Sequence, residues 1–411
     1  MTERKRGNLS RRAFVGGGAG LTAAALLAGR GGVRVVGAQG TPASPVEERG
    51  TVQVGIVTSQ SGPLQTYGEQ YLKGFELGLD YATGGTGLAN GYRIETTIRD
   101  DTGVPDTGVA AARDLIGQEF RIIAGSVVSG VALQVAPLAE QNQVLFVSGP
   151  AAADGISGIN PYTFRSGRQV TQDVLTARSF LEAPEGKNAL VFAQDTAFGQ
   201  STAAAVIAIF GEAGTNVEQL LVGADVQEFA PAAQQILDQG PDLLFIAWAG
   251  ATAPAMYAAL ANQGVLESTQ VVTGLDIRAS YPIFGPAAEQ ISFISHYIYQ
   301  APDNEVNDFL IERLEAEGGV PDLFMPDGFA GAQMIVHAVG TAEGDDVDAM
   351  IEALEGHTFQ GVKGDYEVRA EDHALLQPMF QVRLTGEGAT AEAEPTNTLA
   401  PDDIAPPVVE A

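Results

Sequence analysis

From residue 51 to residue 274, short apolar runs of five to nine residues alternate with helix-like segments of ten to fifteen. Few folds accommodate that pattern. Strands this apolar need cover on both faces, which parallel sheets flanked by helices provide. The runs Val52–Thr58, Tyr92–Asp100, Arg121–Gly125, Val144–Ser148, Ala189–Ala193, Asn216–Val222, Leu243–Ala247 and Gln270–Gly274 read as strands. Between them, Tyr67–Tyr81, Gly108–Gln118, Val131–Gln141, Gly199–Ala213, Ala230–Gln239 and Pro254–Gln263 read as helices. In the first helix Leu72, Phe75 and Leu79 share one face. Arg121–Gly149 and Leu243–Gly274 repeat one plan: strand, turn, a helix closing on Gln-Asn-Gln or Ala-Asn-Gln, strand, Gly. One such unit in each half predicts two α/β lobes, each built on a doubly wound parallel sheet. Ligands of such sheets sit beyond the carboxyl ends of the strands. The loops to watch are therefore 126–130, 149–154, 195–200, 248–251 and 276–279.

Charge narrows the partners. The chain carries 51 acidic and 22 basic residues, a net charge of −29. So negative a surface repels nucleic acid and anionic lipid. The absence of cysteine excludes disulfides, thiolate catalysis, Cys-based zinc sites and a lipid-modified cysteine.

The N-terminus reads as an export address. Arg4, Lys5 and Arg6 precede Ser10-Arg11-Arg12-Ala13-Phe14-Val15, and a weakly apolar run follows to Ala28. This resembles a twin-arginine signal peptide, with Val36-Gly37-Ala38 as a cleavage site. Residues 1–38 carry seven Lys/Arg and one acid, so their removal takes the net charge from −29 to −35. Residues 39–50 read as a flexible leader. Residues 386–411, rich in Ala, Glu, Pro and Thr without apolar periodicity, read as a disordered acidic tail.

Catalytic signatures are missing. The chain has neither a phosphate-cradling G-x-x-x-x-G-K-[ST] run nor a G-x-S-x-G elbow. His296, His337, His357 and His373 lack metal-ligand spacing. Gly84-Gly85-Thr86-Gly87 follows a helix and precedes a strand, the reverse of a dinucleotide loop. We expect no turnover, no cofactor and no metal.

Several motifs then follow in an order that resembles the leucine/isoleucine/valine-type periplasmic binding proteins of ABC transporters. They are Ser61-Gly62-Pro63 with Tyr67-Gly68, Asn90-Gly91, Asp100-Asp101, Gly125 to Ser129, Ser148-Gly149-Pro150, Pro161 to Arg165, and Asp195 to Gly199. The resemblance spans residues 51–385. It implies a type I fold of two lobes with three crossings. Lobe 1 would take residues 51–166 and 297–378, and lobe 2 residues 169–294 and 379–385. The crossings would fall near Ser166–Gln169, Ile294–Tyr297 and Gln377–Gln381.

The resemblance also implies a ligand site. Ser129 would hold a carboxylate with its hydroxyl, beside the backbone of Val127; an ordinary helix cap is the alternative. Asp276 would pair with an α-ammonium, or merely form a turn. Tyr67 and Phe198 would be aromatic walls. Trp248, the only Trp, would face the ligand or close the lobe core. Ala151, Ala152 and Ala153 stand where the family usually ends in Ser or Thr, which leaves only their backbone carbonyls as acceptors. Gly103 and Val128 occupy the positions of the family's frequent disulfide. The implied protein is an exported, monomeric receptor that hands a small amino-acid-like molecule to a membrane permease. A branched or aromatic amino acid is one ligand class; a neutral amide, urea-like compound or aromatic acid is another. A ligand sensor of the same fold is the alternative role.

Overall fold

The computed structural model describes residues 47–386 and 391–409. The expected export signal, residues 1–38, and residues 39–46 of the expected leader lie outside the described residues.

The alternation read from the sequence is the fold. Nine elements open the first lobe: β1 (Gly50–Thr58), α1 (Gln65–Ala82), β2 (Leu88–Ala89), β3 (Tyr92–Asp100), α2 (Pro105–Gly117), β4 (Ile122–Gly125), α3 (Ser129–Asn142), β5 (Leu145–Ser148) and β6 (Thr163–Arg165). The second lobe continues with α4 (Val170–Ala177), β7 (Asn188–Gln194), α5 (Ala197–Glu212), β8 (Asn216–Val222), α6 (Ala230–Gln239) and β9 (Leu243–Ala247). It goes on through α7 (Ala253–Asn262), α8 (Val265–Ser268), β10 (Gln270–Gly274) and β11 (Ile291–Ser295). The chain then returns to the first lobe as α9 (Glu305–Ala316), α10 (Met325–Ala342), α11 (Val347–Leu354), β12 (Thr358–Gly361), β13 (Gly364–Val368) and β14 (Leu375–Leu376). It ends in β15 (Met379–Thr385) and β16 (Glu392–Leu399).

The first sheet has the order β2-β3-β1-β4-β5-β6, and the second β16-β15-β11-β10-β9-β7-β8. Pairing within each is parallel apart from β2, β15 and β16. Chain order reverses direction between β1 and β4 in one sheet and between β7 and β9 in the other. These switch points open crevices at the carboxyl ends of the strands, and the two crevices belong to different lobes. The chain passes between the sheets at residues 166–169, after Ser295, and at 377–378.

The opening loop is fixed by paired carboxylates. Asp100 accepts from the Ser61 hydroxyl (2.6 Å) and from the N–H groups of Gln60 and Thr102 (2.8 Å each). Asp101, fully buried, accepts from Ser59 Oγ at 2.6 Å and Gly103 N at 2.8 Å, and from the Ser126 hydroxyl. Asp100-Asp101 thus ties the β1–α1 loop to the β4–α3 loop.

Helices α1 and α10 cross in close contact because glycines line the crossing. A methyl group at Gly74 would be driven into the Met325 carbonyl, and one at Gly328 into the Tyr71 carbonyl. Gly74→Ala is expected to lower unfolding free energy by about 1–3 kcal/mol, as overpacking does. Urea denaturation with an unchanged midpoint would contradict this packing.

The tail corrects the sequence reading. Residues 392–399 are not disordered; they form β16, paired antiparallel along β15 from Thr385↔Glu392 to Met379↔Leu399. Within it only Ala393 is buried, so the strand shows no apolar periodicity. Its stability comes from backbone pairing and from the ion pairs Arg383–Glu394 and Arg278–Glu392. Beyond it, Pro401–Ile404 forms a 3₁₀ turn with Ile404 fully buried. The chain then makes a fourth passage, back to the first lobe.

Candidate functional site

The lobes meet over a cavity of about 240 Å³ and an adjoining chamber of about 80 Å³. Tyr67, Arg168, Phe198, Ala249 and Phe324 line both. The larger cavity is apolar on most sides, with Leu64, Val127 and Ala152 from one lobe and Ala197 and Ala224 from the other.

Ser129 is the first residue of α3, and its side chain does not cap that helix. Its Oγ instead accepts from the N–H groups of Ala152 and Ala153, both at 3.2 Å. With its acceptor side occupied, the hydroxyl has its proton free to donate. Among the described residues, no protein acceptor engages the N–H groups of Ser129 and Gly130. A hydroxyl proton and the open N–H groups of a helix start suit an anion.

Asp276 follows β10 in the other lobe. Its Oδ1 accepts from the Tyr67 hydroxyl at 2.6 Å and from Ile277 N at 2.8 Å. Burial pushes its carboxyl up, and the Tyr67 and Ile277 donors pull it back. Burial beside Asp276 keeps the Tyr67 phenol protonated far above its ordinary range. Gly250 N also donates to Tyr67 Oη, at 3.3 Å. One tyrosine of lobe 1 therefore engages two loops of lobe 2. The Asp154 N–H donates across the same cleft to Ser201 Oγ (3.0 Å), and Arg278 N to Asp322 (3.2 Å).

The nine expected site residues separate by position. Tyr67, Val127, Ser129, Ala152 and Phe198 line the larger cavity; Trp248 and Asp276 line the smaller chamber with Tyr67 and Phe198. Ala151 and Ala153 line neither. Their carbonyls accept from Arg165, at 2.8 and 2.6 Å, and the Ala152 carbonyl accepts from Val170 N at 2.9 Å. The reading of these carbonyls as ligand acceptors is thereby corrected: the guanidinium of Arg165, fully buried, claims two of them. Trp248 has both its expected surroundings. One side lines the chamber, while its ring packs on Phe192 and Phe229 with centroids 5.1 and 5.2 Å apart, and its indole N–H donates to Thr252 Oγ1 at 2.9 Å.

Phe324, Gln194 and Arg168 are among the lining residues that escaped the sequence reading. Phe324 lies just before α10, with its ring 4.3 Å from that of Tyr67. In the sequence it is one member of an apolar Leu-Phe-Met run, indistinguishable from core. Gln194 ends β7 and accepts from Ala249 N at 3.1 Å. Arg168 is the only cation among the described residues lining the two chambers. Its Nε reaches Asp173 at 3.3 Å and its Nη1 the Pro150 carbonyl at 3.1 Å. Two arginines within four residues at a lobe crossing were the available signal.

Behind the smaller chamber the crossings enclose a buried polar cluster. Both Asp327 carboxylate oxygens, His296 Nε2, Lys363 Nζ and Gln377 Oε1 lack a protein hydrogen-bond partner. His296 Nε2 stands 3.9 Å from Asp327. Burial pushes the Asp327 carboxyl up to about 6, against the pull of Lys363, Arg168 and Arg165 and with the push of Asp173. Burial likewise lowers Lys363 to about 8 and holds His296 well below its ordinary value, neutral. A carboxyl raised on folding favours the folded state below its unfolded value of about 3.9, and that contribution is lost as pH rises through about 6. His296 acts oppositely, since only the unfolded chain protonates it. The expected result is therefore a difference between curves: Asp327→Asn should remove a falling component of stability between about pH 4 and 6, worth roughly 1–3 kcal/mol. Denaturation midpoints with parallel pH dependence in both proteins would refute it.

Two lobes meeting over an apolar cavity lined by the α3 start, with a carboxylate in the adjoining chamber, make a cleft of the kind that encloses a small molecule. The chain matches the family model described as "Periplasmic binding protein" over residues 51–389 and belongs to that family. It is 24% identical over 342 residues to Leu/Ile/Val-binding protein homolog 3 of Brucella melitensis, covering 82% of this chain and 92% of that one. Among solved structures it resembles an ABC-type branched-chain amino acid transporter protein of Rhodopseudomonas palustris. That match has a TM-score of 0.73 and 28% identity over 88% of this chain and 100% of the other. It also resembles an R. palustris ABC-transporter solute-binding protein solved with 4-hydroxybenzoate, with a TM-score of 0.78, 21% identity, and 85% and 97% coverage. No helix among the described residues is long and apolar enough to cross a membrane.

Proposed function

We propose that the chain is the exported solute-binding receptor of an ABC importer, and that it captures a small amino-acid-like molecule by closing its two lobes. The observation that carries this reading is a pair of adjoining chambers between the lobes that share Tyr67 and Phe198, with Ser129 and the α3 start lining the larger, apolar one and Asp276 lining the smaller. A zwitterion with an apolar side chain has complementary ends and a complementary body. The carboxylate would take the Ser129 proton and the helix N–H groups, and the ammonium would take Asp276 in place of the Tyr67 hydroxyl. A ligand touching both lobes binds the closed state better than the open one, which drives closure without chemistry. We read the protein as a monomer that undergoes no turnover and signals its loaded state to a permease by shape. Residues 1–38 are read as a twin-arginine signal, and export without a lipid-modified cysteine would place the protein in a periplasm or at the cell surface, held there by something other than that lipid.

One observation favours a second ligand class. Asp276 lines only the smaller chamber, whereas Arg168 lines both and no carboxylate lines the larger. An aromatic or aliphatic acid without an ammonium would fit that larger cavity. Calorimetric titration with the common amino acids, small amides, benzoate and aliphatic acids tests both. One tight hit on an apolar amino acid supports the first reading, and one on a simple acid the second. No binding by any member, or consumption of one during the titration, overturns the receptor reading.

A further inference from the structure

The chain beyond β16 leaves the second lobe and grips the first. It lies outside the residues matched by the family model, which end at 389. Strand β16 anchors its near end by pairing with β15 in the second sheet from Thr385↔Glu392 to Met379↔Leu399, with one bulge between Gln381 and Val382. The 3₁₀ turn Pro401–Ile404 then packs against α4, with Ile404 buried. From there Pro406 and Pro407 run to the first lobe, where Arg369 and Asp372 hold them in the turn between β13 and β14. Arg369 Nη1 donates to the Pro406 carbonyl at 2.7 Å, and Nη2 to that of Pro407 at 3.3 Å. The same guanidinium is clamped by both Asp372 oxygens, at 2.8 and 2.7 Å. Val409 N donates to Asp372 Oδ2 at 3.1 Å, and the Asp372 carbonyl accepts from Gly158 N at 2.8 Å in the β5–β6 loop.

We infer that residues 400–409 are a latch: a fourth link between the lobes that resists their separation and sets how readily the cleft opens. The mechanics follow from the residues. Two successive prolines have fixed φ and no N–H, so this stretch is stiff and leaves its carbonyls to outside donors. Arg369 supplies them as a planar fork held in place by Asp372, the geometry that makes charge-assisted bonds strong. At the other end, β16 cannot slide without breaking its ladder. Lobe separation must therefore unwind the 3₁₀ turn or pull Pro406 and Pro407 off Arg369. The three crossings found between elements carry no comparable docking step, because they are continuous chain that bends. The inference rests on the two-lobed fold and not on the identity of the ligand.

The chain has no cysteine, so lobe separation can be read with introduced labels. Ile98 in β3 and Ile207 in α5 are exposed on opposite lobes. Ile98→Cys and Ile207→Cys together accept two spin labels, and pulsed electron resonance on ligand-free protein gives the distance distribution between them. Three versions are compared: the full chain, a chain ending at Leu399, and Arg369→Lys, which keeps the charge beside Asp372 but loses the fork. Truncation is expected to lower the ratio of short-distance to long-distance populations by roughly tenfold, and Arg369→Lys by a smaller factor in the same direction. Superimposable distributions for the truncated and full chains would overturn the latch. Should circular dichroism show the truncated chain unfolded, Arg369→Lys decides alone: a shift to longer distances supports the latch, and an unchanged distribution overturns it.

Discussion

Asp276→Ala is expected to weaken binding of an apolar α-amino acid by about 10²–10³-fold, the usual cost of removing one partner from a buried charge pair. The carboxylate is buried, and the Tyr67 hydroxyl and Ile277 N donate to it, with the Ser280 side chain beside them. No other carboxylate lining the two chambers is free to replace it, since Asp173 is engaged by Arg168. Titration calorimetry of wild type and variant against one amino acid measures the effect. Ser129→Ala, which removes one donor to the carboxylate, should cost about tenfold. The same pair of variants separates the two ligand classes. Binding of a simple acid should survive Asp276→Ala and still weaken in Ser129→Ala. An amino acid whose affinity is indifferent to Asp276 would remove that residue from the site.

Arg165→Met should have the largest effect on stability, roughly 4 kcal/mol or more. Arg165 is fully buried, and its guanidinium donates to Ser157 Oγ and to the carbonyls of Ala151, Ala153 and Arg168 at 2.6–3.1 Å. Burial lowers its own ionisation only to about 10, so it remains charged at neutral pH. Methionine fills much of the volume but donates nothing, stranding three carbonyls at about 1–3 kcal/mol each. Those carbonyls frame the wall of the first lobe and the first crossing, so binding should weaken together with stability. An unfolding free energy from urea denaturation within about 1 kcal/mol of wild type would show that water replaces the guanidinium at little cost.

The sequence exposed those elements whose burial writes a period into the residues. The central parallel strands, such as Ile122–Gly125 and Leu243–Ala247, are apolar throughout because both faces are covered, and Asn216–Val222, Leu243–Ala247 and Gln270–Gly274 were legible to the residue. Strand β16 was not, because one alanine is all that its side chains bury. The cleft divided in the same way. Tyr67 and Ser129 stand in the first turns of helices that follow strand ends, and Asp276 in the loop after β10, where the pattern of alternation says a ligand must lie. Phe324 and Arg168 come from a returning segment and a lobe crossing, and only the three-dimensional path brings them there. The tendency of carbonyls to be claimed by the nearest donor was equally invisible: nothing in Ala151-Ala152-Ala153 announces that Arg165 will occupy two of them.

Tyr67 has a consequence for transport flux. Its hydroxyl holds Asp276 and Gly250 of the opposite lobe through atoms of the protein alone. Interactions that join the lobes in the absence of cargo raise the share of receptor that is shut while empty. A permease that recognises the shut shape would then meet decoys as well as deliveries. Import should pass through a maximum as receptor abundance increases at fixed cargo, because empty shut receptors compete for the same docking face. Tyr67→Phe, which removes the bridge and keeps the ring, would move that maximum to higher receptor abundance.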